Sequence, residues 1–300
     1  MNSGWNTDAD LVELKSGVTR VLVDPVMGGS VVCYESERRG QVQPWLQPRG
    51  EGCPGTFPLV PFASRIRNGE FQYKGQTVRL VANNIPERHA IHGHGWQSEW
   101  TVMRQTKTLV ELEFEYIARD WPWSYVARQI IQLQDTVLEI WIEVANRHLD
   151  AMPVGFGIHP YFPLTQECRM DTQVSHEWLL DEELMPKRRI VCGDRFATGI
   201  KPAKERLDNV YDGWDGVVRI EWPETNHCLT MTADSVFGRL VAYSPGQNYF
   251  CAEPISNIPD AFNMMSRGEK NHGVIVIEPG QQLRGCVRFS PGSIDPSESS

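Results

Sequence analysis

Val110-Glu111-Leu112-Glu113-Phe114-Glu115-Tyr116 alternates apolar and acidic side chains residue by residue. Successive side chains of a β-strand point to opposite faces, so this stretch lays Val110, Leu112, Phe114 and Tyr116 on a core and turns its glutamates to water. A helix would mix the two sets. Downstream, residues 126–134 and 137–146 are two more alternating runs, split by Asp135 and Thr136, and they predict an antiparallel hairpin with a short turn. On the second run Leu138, Ile140, Ile142 and Val144 share one face. Shorter runs at 18–23, 71–80, 217–222, 228–233, 240–244 and 273–277 are further strand candidates. Gly28-Gly29, Asn68-Gly69, Lys74-Gly75, Asp212-Gly213 and Pro245-Gly246 supply turn chemistry. Helix-like spacing is confined to short stretches near 178–185 and 260–267. The expected fold is all-β, a large antiparallel β-sandwich.

Composition agrees with a folded chain. Apolar residues make up 41% of the 300 and charged residues 22%, enough to build a large core. All-β units of this length are common, and no internal repeat or linker interrupts the sequence, so one domain over residues 1–300 is expected. The segment 291–300 holds four serines, two prolines and one apolar residue, Ile294, and is expected to fray, as are residues 1–10. The net charge is −9 and the longest basic run is Lys187-Arg188-Arg189, which argues against a nucleic-acid partner. Asp8, Asp10 and Glu13 stand where a secretory leader would need a basic start and an apolar run. No stretch approaches the roughly 18 consecutive apolar residues of a membrane span, so a cytoplasmic protein without membrane contact is expected. Seven cysteines, an odd number without a Cys-x-x-Cys pair, read as reduced thiols rather than a disulfide framework or a zinc knuckle.

Three segments concentrate chemistry. Arg88-His89-Ala90-Ile91-His92-Gly93-His94-Gly95-Trp96 packs three histidines, two glycines and an indole together. Glycine admits close backbone approach, an indole offers a flat apolar face to the C–H side of a sugar, and neutral histidine can donate or accept a hydrogen bond. A glycine-rich loop with solvated histidines is the competing explanation. Gly155-Phe156-Gly157-Ile158-His159-Pro160-Tyr161-Phe162 presents a second histidine, for which a structural role between aromatics is the alternative. In Cys251-Ala252-Glu253-Pro254-Ile255-Ser256-Asn257 a carboxylate stands among apolar residues. Partial desolvation there would raise its pKa toward the working range of a base, whereas an exposed strand end would leave it inert.

Taken in order, the chain resembles the aldose 1-epimerase family. The likeness runs from about residue 28 to about residue 280 through Ala63-Ser64-Arg65-Ile66-Arg67-Asn68-Gly69, Ile91-His92-Gly93, His159-Pro160-Tyr161-Phe162 and Leu207-Asp208-Asn209-Val210. It continues through Glu253-Pro254 with Pro259-Asp260-Ala261 and ends at Glu278-Pro279-Gly280. The resemblance implies a galactose mutarotase-like supersandwich and the interconversion of α and β anomers of a free aldose such as galactose or glucose. It assigns His159 as general acid toward the ring oxygen, Glu253 as general base toward the C1 hydroxyl, and His92 as a second histidine near the ring oxygen. Arg65 and Asp208 would hold sugar hydroxyls, with Trp96 added on its chemistry as a sugar-facing platform. Ser64 stands where the family usually has Asn, and Pro160 where Ser or Thr is common. The pair would face each other across a pocket one pyranose wide. No cofactor or metal is implied, and a monomer or homodimer is expected.

Two rivals come from other classes. A metal-dependent cupin would use His92-x-His94 and Glu99, but Pro153-x-Gly155 reaches His159 one residue too late and no Asn follows on schedule. A non-catalytic sugar-binding module would keep the cleft without needing both His159 and Glu253. A phosphosugar epimerase is a nearer variant, for which Arg67 and Arg88 are the candidate cations.

Overall fold

The computed structural model describes residues 11–295 except 39, 51, 52, 194, 197 and 198, and the side chain of Arg38. Residues 1–10 and 296–300, where frayed ends are expected, lie outside the described residues. Nearly all of the regular secondary structure is strand, and the paired strands run antiparallel.

One eight-stranded sheet is built on the decisive stretch. Its order is Thr101–Gln105, Leu109–Tyr116, Tyr125–Gln134, Val137–Asn146, Gln282–Ser293, His227–Ala233, Val217–Trp222 and Arg169–Thr172. The hairpin is in register through Leu133↔Leu138 and Gln134↔Val137, with Asp135 at φ 54° in the turn. Leu138, Ile140, Ile142 and Val144 are buried on one face, each worth about 1.5–3 kcal/mol relative to exposure. Val110, Leu112 and Tyr116 are likewise buried, and Phe114 partly so.

A second sheet runs in the order Pro186–Val191, His176–Leu180, Leu207–Asp212, Arg239–Ser244, Tyr249–Ile255, Gly157–His159 and Phe57–Leu59, with Tyr161–Pro163 also paired to Tyr249–Ile255. A four-stranded sheet, from Val12–Ser16 to Gln41–Leu46, adds to the same apolar core. The layers meet through Phe162 against Phe289, ring centroids 6.4 Å apart, and through the Trp222 indole, which donates to the Pro163 carbonyl at 2.9 Å.

Three local expectations are corrected. The stretch near 178–185 is the strand His176–Leu180 followed by a turn, not a helix. Trp178 is buried and donates to the Asp212 carboxylate at 2.7 Å, while the Asp181 carboxylate accepts the amides of Glu183 and Met185 and closes the turn. Residues 71–80 are split at Lys74-Gly75 into Glu70–Tyr73 and Gln76–Arg79, because both turn residues take positive φ. The expected fraying from Pro291 does not begin there, since the strand Gln282–Ser293 carries Pro291, Gly292 and Ser293 opposite Leu229, Cys228 and His227. A ready-made partner strand outweighs their polar composition. The helix near 260–267 is found as Ala261–Ser266. Among the described residues no helix is long and apolar enough to cross a membrane.

Candidate active site

Strand alternation collects the chemistry on one face of the second sheet. Tyr161 pairs with Cys251 and Gly157 with Ile255, and counting inward from each pair sets His159 opposite Glu253. Phe57 pairs with His159, Val241 with Glu253, Tyr243 with Cys251, and Asp208 with Tyr243. Side chains on one face recur every second residue, so Phe57, His159, Tyr161, Cys251, Glu253, Tyr243 and Asp208 all point the same way. His159 Nε2 lies 3.3 Å from Glu253 Oε1. The two groups thus stand side by side rather than across a sugar's width, a correction that follows from their being cross-strand neighbours. Their side chains are 10% and 4% exposed, so each keeps one narrow edge open.

The His92 loop is shaped by close backbone contact. A Cβ on Gly93 would come within 2.0 Å of the Val60 carbonyl, and the Gly93 backbone takes φ 68°, so no other residue fits. That carbonyl accepts the amides of His94 and Gly95 at 2.8 and 3.1 Å. The three histidines then part company. His89 is buried and accepts the Asn68 amide at 3.0 Å, His94 stacks on Tyr116 at 4.4 Å beside Asp120, and His92 alone meets His159, ring centroids 5.5 Å apart.

Ser64 acts through its backbone. Its amide donates to His92 Nδ1 at 3.2 Å and its carbonyl accepts the His92 amide at 3.0 Å. An accepting Nδ1 leaves the proton of the neutral ring on Nε2, as a donor. Behind this pair Asn257 fastens the segment: its amide oxygen accepts the Ala63 N–H at 3.0 Å and its nitrogen donates to the carbonyls of Ala63 and Ile258. Gly155 makes room, because a Cβ there would meet the Asn257 amide oxygen at 1.9 Å.

Aromatic rings wall the site. Trp96 stacks on Phe57 at 5.3 Å, Phe57 lies 4.9 Å from His159, and His159 stacks on Tyr161 at 4.6 Å. Arg65 donates through Nε to Glu87 at 2.7 Å. Burial would lift the Glu87 carboxyl, but Arg65 holds it below its ordinary value. Asp208 is open to solvent yet ringed by protein at longer range, and that crowding raises its carboxyl against the pull of Arg65.

Burial decides the protonation of the central pair. It pushes the His159 imidazole down to about 3 and the Glu253 carboxyl well above its usual range, the latter assisted by Asp208 and opposed by Arg65. Burial likewise lowers His92, with His159 and Arg65 adding to the effect. The uncharged forms are favoured at both groups, which sets a carboxylic acid beside a neutral imidazole. The Nδ1 edge of His159 faces its own carbonyl without a hydrogen bond of good geometry.

Several expectations sort out here. His159, Glu253, His92, Arg65, Asp208 and Trp96 converge on one face and its rim, with Ser64 behind them. His92, His94 and Glu99 form no metal-ligand group among the described residues, which removes the cupin ligand set. Arg67 pairs with Asp181 and Glu183, and Arg88 with Glu183, so neither stands as a free cation for a phosphate. Sequence reasoning missed Phe57, Cys251 and Glu87 as neighbours of the site. Only the alternation between Cys251 and Glu253 carried a signal for any of them. A cavity of about 1000 Å³ lined by Trp45, Thr136, Glu224, His227 and Ser293 shares no residue with the site.

A family model described as aldose 1-epimerase matches residues 10–290. The chain belongs to the aldose 1-epimerase family. Its relatives include the uncharacterized protein YphB of Escherichia coli (strain K12), 28% identical over 240 residues that span 75% of this chain and 79% of that one. Among solved structures, a galactose mutarotase-like protein from Clostridium acetobutylicum superposes with a TM-score of 0.83 at 19% identity, covering 94% of each chain. The galactose 1-epimerase from Lactobacillus acidophilus NCFM does so with a TM-score of 0.75 at 14% identity, covering 98% of each. At these identities the structural likenesses establish the fold. Membership in the aldose 1-epimerase family makes this an isomerase-type enzyme with a small-molecule sugar as substrate.

Proposed function

We propose that the protein is a mutarotase that opens and recloses the hemiacetal ring of a free aldohexose, with His159 as acid and Glu253 as base. The observation that carries this reading is the 3.3 Å approach of His159 Nε2 to Glu253 Oε1 on a face lined with sugar-compatible groups. The ring oxygen and the anomeric hydroxyl are both bonded to C1, so an acid and a base that serve them belong next to each other. The Glu253 carboxyl first passes its proton to His159 Nε2; opening then moves the C1 hydroxyl proton to the Glu253 carboxylate and the imidazolium proton of His159 to the ring oxygen. Both transfers discharge the pair, the direction that burial favours. After rotation about C1–C2 the steps reverse on the other carbonyl face, and no net proton is consumed.

The remaining residues position the ring. His92, with its proton on Nε2, donates to the ring oxygen, while Arg65 and Asp208 hold adjacent hydroxyls. The Trp96 ring, stacked on Phe57, offers an apolar face to the pyranose. Galactose is the first sugar to test, because a galactose 1-epimerase shares the fold. His159→Asn and Glu253→Gln should each lower the rate of polarimetric mutarotation by about 10² to 10⁴, the usual worth of a positioned acid or base. Near wild-type rates in either variant, with circular dichroism unchanged, would remove the mechanism.

A further inference from the structure

The catalytic strand carries a group that the sugar chemistry does not use. Cys251 is fully buried, lies two residues before Glu253 on the same face, and pairs across the ladder with Tyr161. The ligand atoms of His159, Cys251 and Glu253 all lie within 4.8 Å of one another. We propose that these three residues form a binding site for a thiophilic divalent cation, zinc above all, and that the bound ion shuts the enzyme off.

The donor set is what zinc selects: one thiolate, one imidazole nitrogen and one carboxylate oxygen, three protein ligands that leave the fourth position to a water. Tetrahedral bonds of about 2.0–2.2 Å to nitrogen and oxygen place those two ligands roughly 3.4 Å apart. His159 Nε2 and Glu253 Oε1 stand at 3.3 Å without adjustment, and the Cys251 sulfur, within 4.8 Å of both, closes in to roughly 3.6 Å when the ion binds. Charge also closes: a doubly charged ion, one thiolate, one carboxylate and a neutral imidazole sum to zero, the state that a buried site tolerates. Binding releases one proton from the thiol and one from the carboxyl. None of the other free cysteines belongs to such a group among the described residues. An ion held there occupies the lone pair of His159 and the basic oxygen of Glu253 together, so neither can exchange a proton with a sugar. That inhibition rests on the proposed mutarotase reading, whereas the binding does not.

The test separates the two. Metal-free protein is titrated with cobalt(II), whose thiolate complexes give a near-ultraviolet charge-transfer band, and zinc is measured by equilibrium dialysis. One equivalent of each is expected, with the cobalt band present in the wild type and absent in Cys251→Ser. Zinc affinity should fall at least about tenfold in Cys251→Ser and also in Glu253→Gln, which keeps the thiol and guards against misfolding of the first variant. Cys286→Ser should retain both signals. Zinc should slow mutarotation by the wild type, a chelator should restore it, and Cys251→Ser should be insensitive relative to its own metal-free rate. A missing thiolate band, or one that survives Cys251→Ser, overturns the site. Binding that leaves the rate unchanged or raises it overturns the inhibition. If no sugar reacts at all, the cobalt and dialysis results still decide the site.

Discussion

Replacing Asn257 with Asp keeps the size of a buried side chain and destroys what it does. The amide accepts one hydrogen bond, from the Ala63 N–H, and donates two, to the carbonyls of Ala63 and Ile258. A carboxylate can accept the first but faces both carbonyls without a proton to give. Each buried group left unsatisfied costs about 1–3 kcal/mol, so the two carbonyls alone predict a loss of roughly 2–6 kcal/mol, before the expense of a desolvated charge. Asn257→Ala loses all three hydrogen bonds without adding a charge and, at about 1–3 kcal/mol for each group left unpaired, should cost at least about 3 kcal/mol. Urea unfolding gives the comparison, through a lower midpoint at unchanged slope. The damage should also reach the chemistry, because the Ala63 segment carries Ser64, whose amide sets the tautomer of His92. An Asn257→Asp protein within about 1 kcal/mol of wild type and fully active would refute the idea that this amide organises the site.

Two further outcomes follow from the electrostatics. The folded His159 titrates near 3 against an ordinary 6.5, so acidification protonates the unfolded chain first, and wild type should lose stability relative to His159→Asn as pH falls from about 6.5 to about 3. Glu253 has the opposite sign, its folded pKa being raised, so its contribution is present at low pH and is lost as pH rises above about 4.5. Denaturant midpoints across that range check both, and a flat difference between wild type and His159→Asn would sink the assignment. Arg65→Lys should raise KM for the sugar by about tenfold with a smaller effect on kcat, because one ammonium cannot serve both Glu87 and a pair of hydroxyls as a guanidinium fork can. Steady-state kinetics with unchanged KM would exclude that role.

The long strands were legible because they are half-wet. Val110–Tyr116 and the hairpin around Asp135 alternate cleanly, and their core faces are the ones expected. Phe57–Leu59 and Gly157–His159 were not, since three buried residues carry no period and their pairing is supplied by partners far along the chain. Trp178 misled for a related reason, its burial and its bond to Asp212 being tertiary facts. The ordered motifs pointed to His159, Glu253, His92, Arg65 and Asp208, yet gave no hint that Ser64 works through its amide or that Glu87 steers Arg65. Those relations span 28 and 22 residues, beyond the reach of any local pattern.

His159 and Glu253 lie almost a hundred positions apart in the chain and meet only as opposite members of a ladder. Slipping one strand by a single residue would turn all of its side chains through the sheet, and one member of the pair with them, while the other sheets keep their own contacts. Recovered turnover during refolding should therefore lag behind recovered compactness, and misaligned molecules would be folded in every bulk respect yet chemically mute.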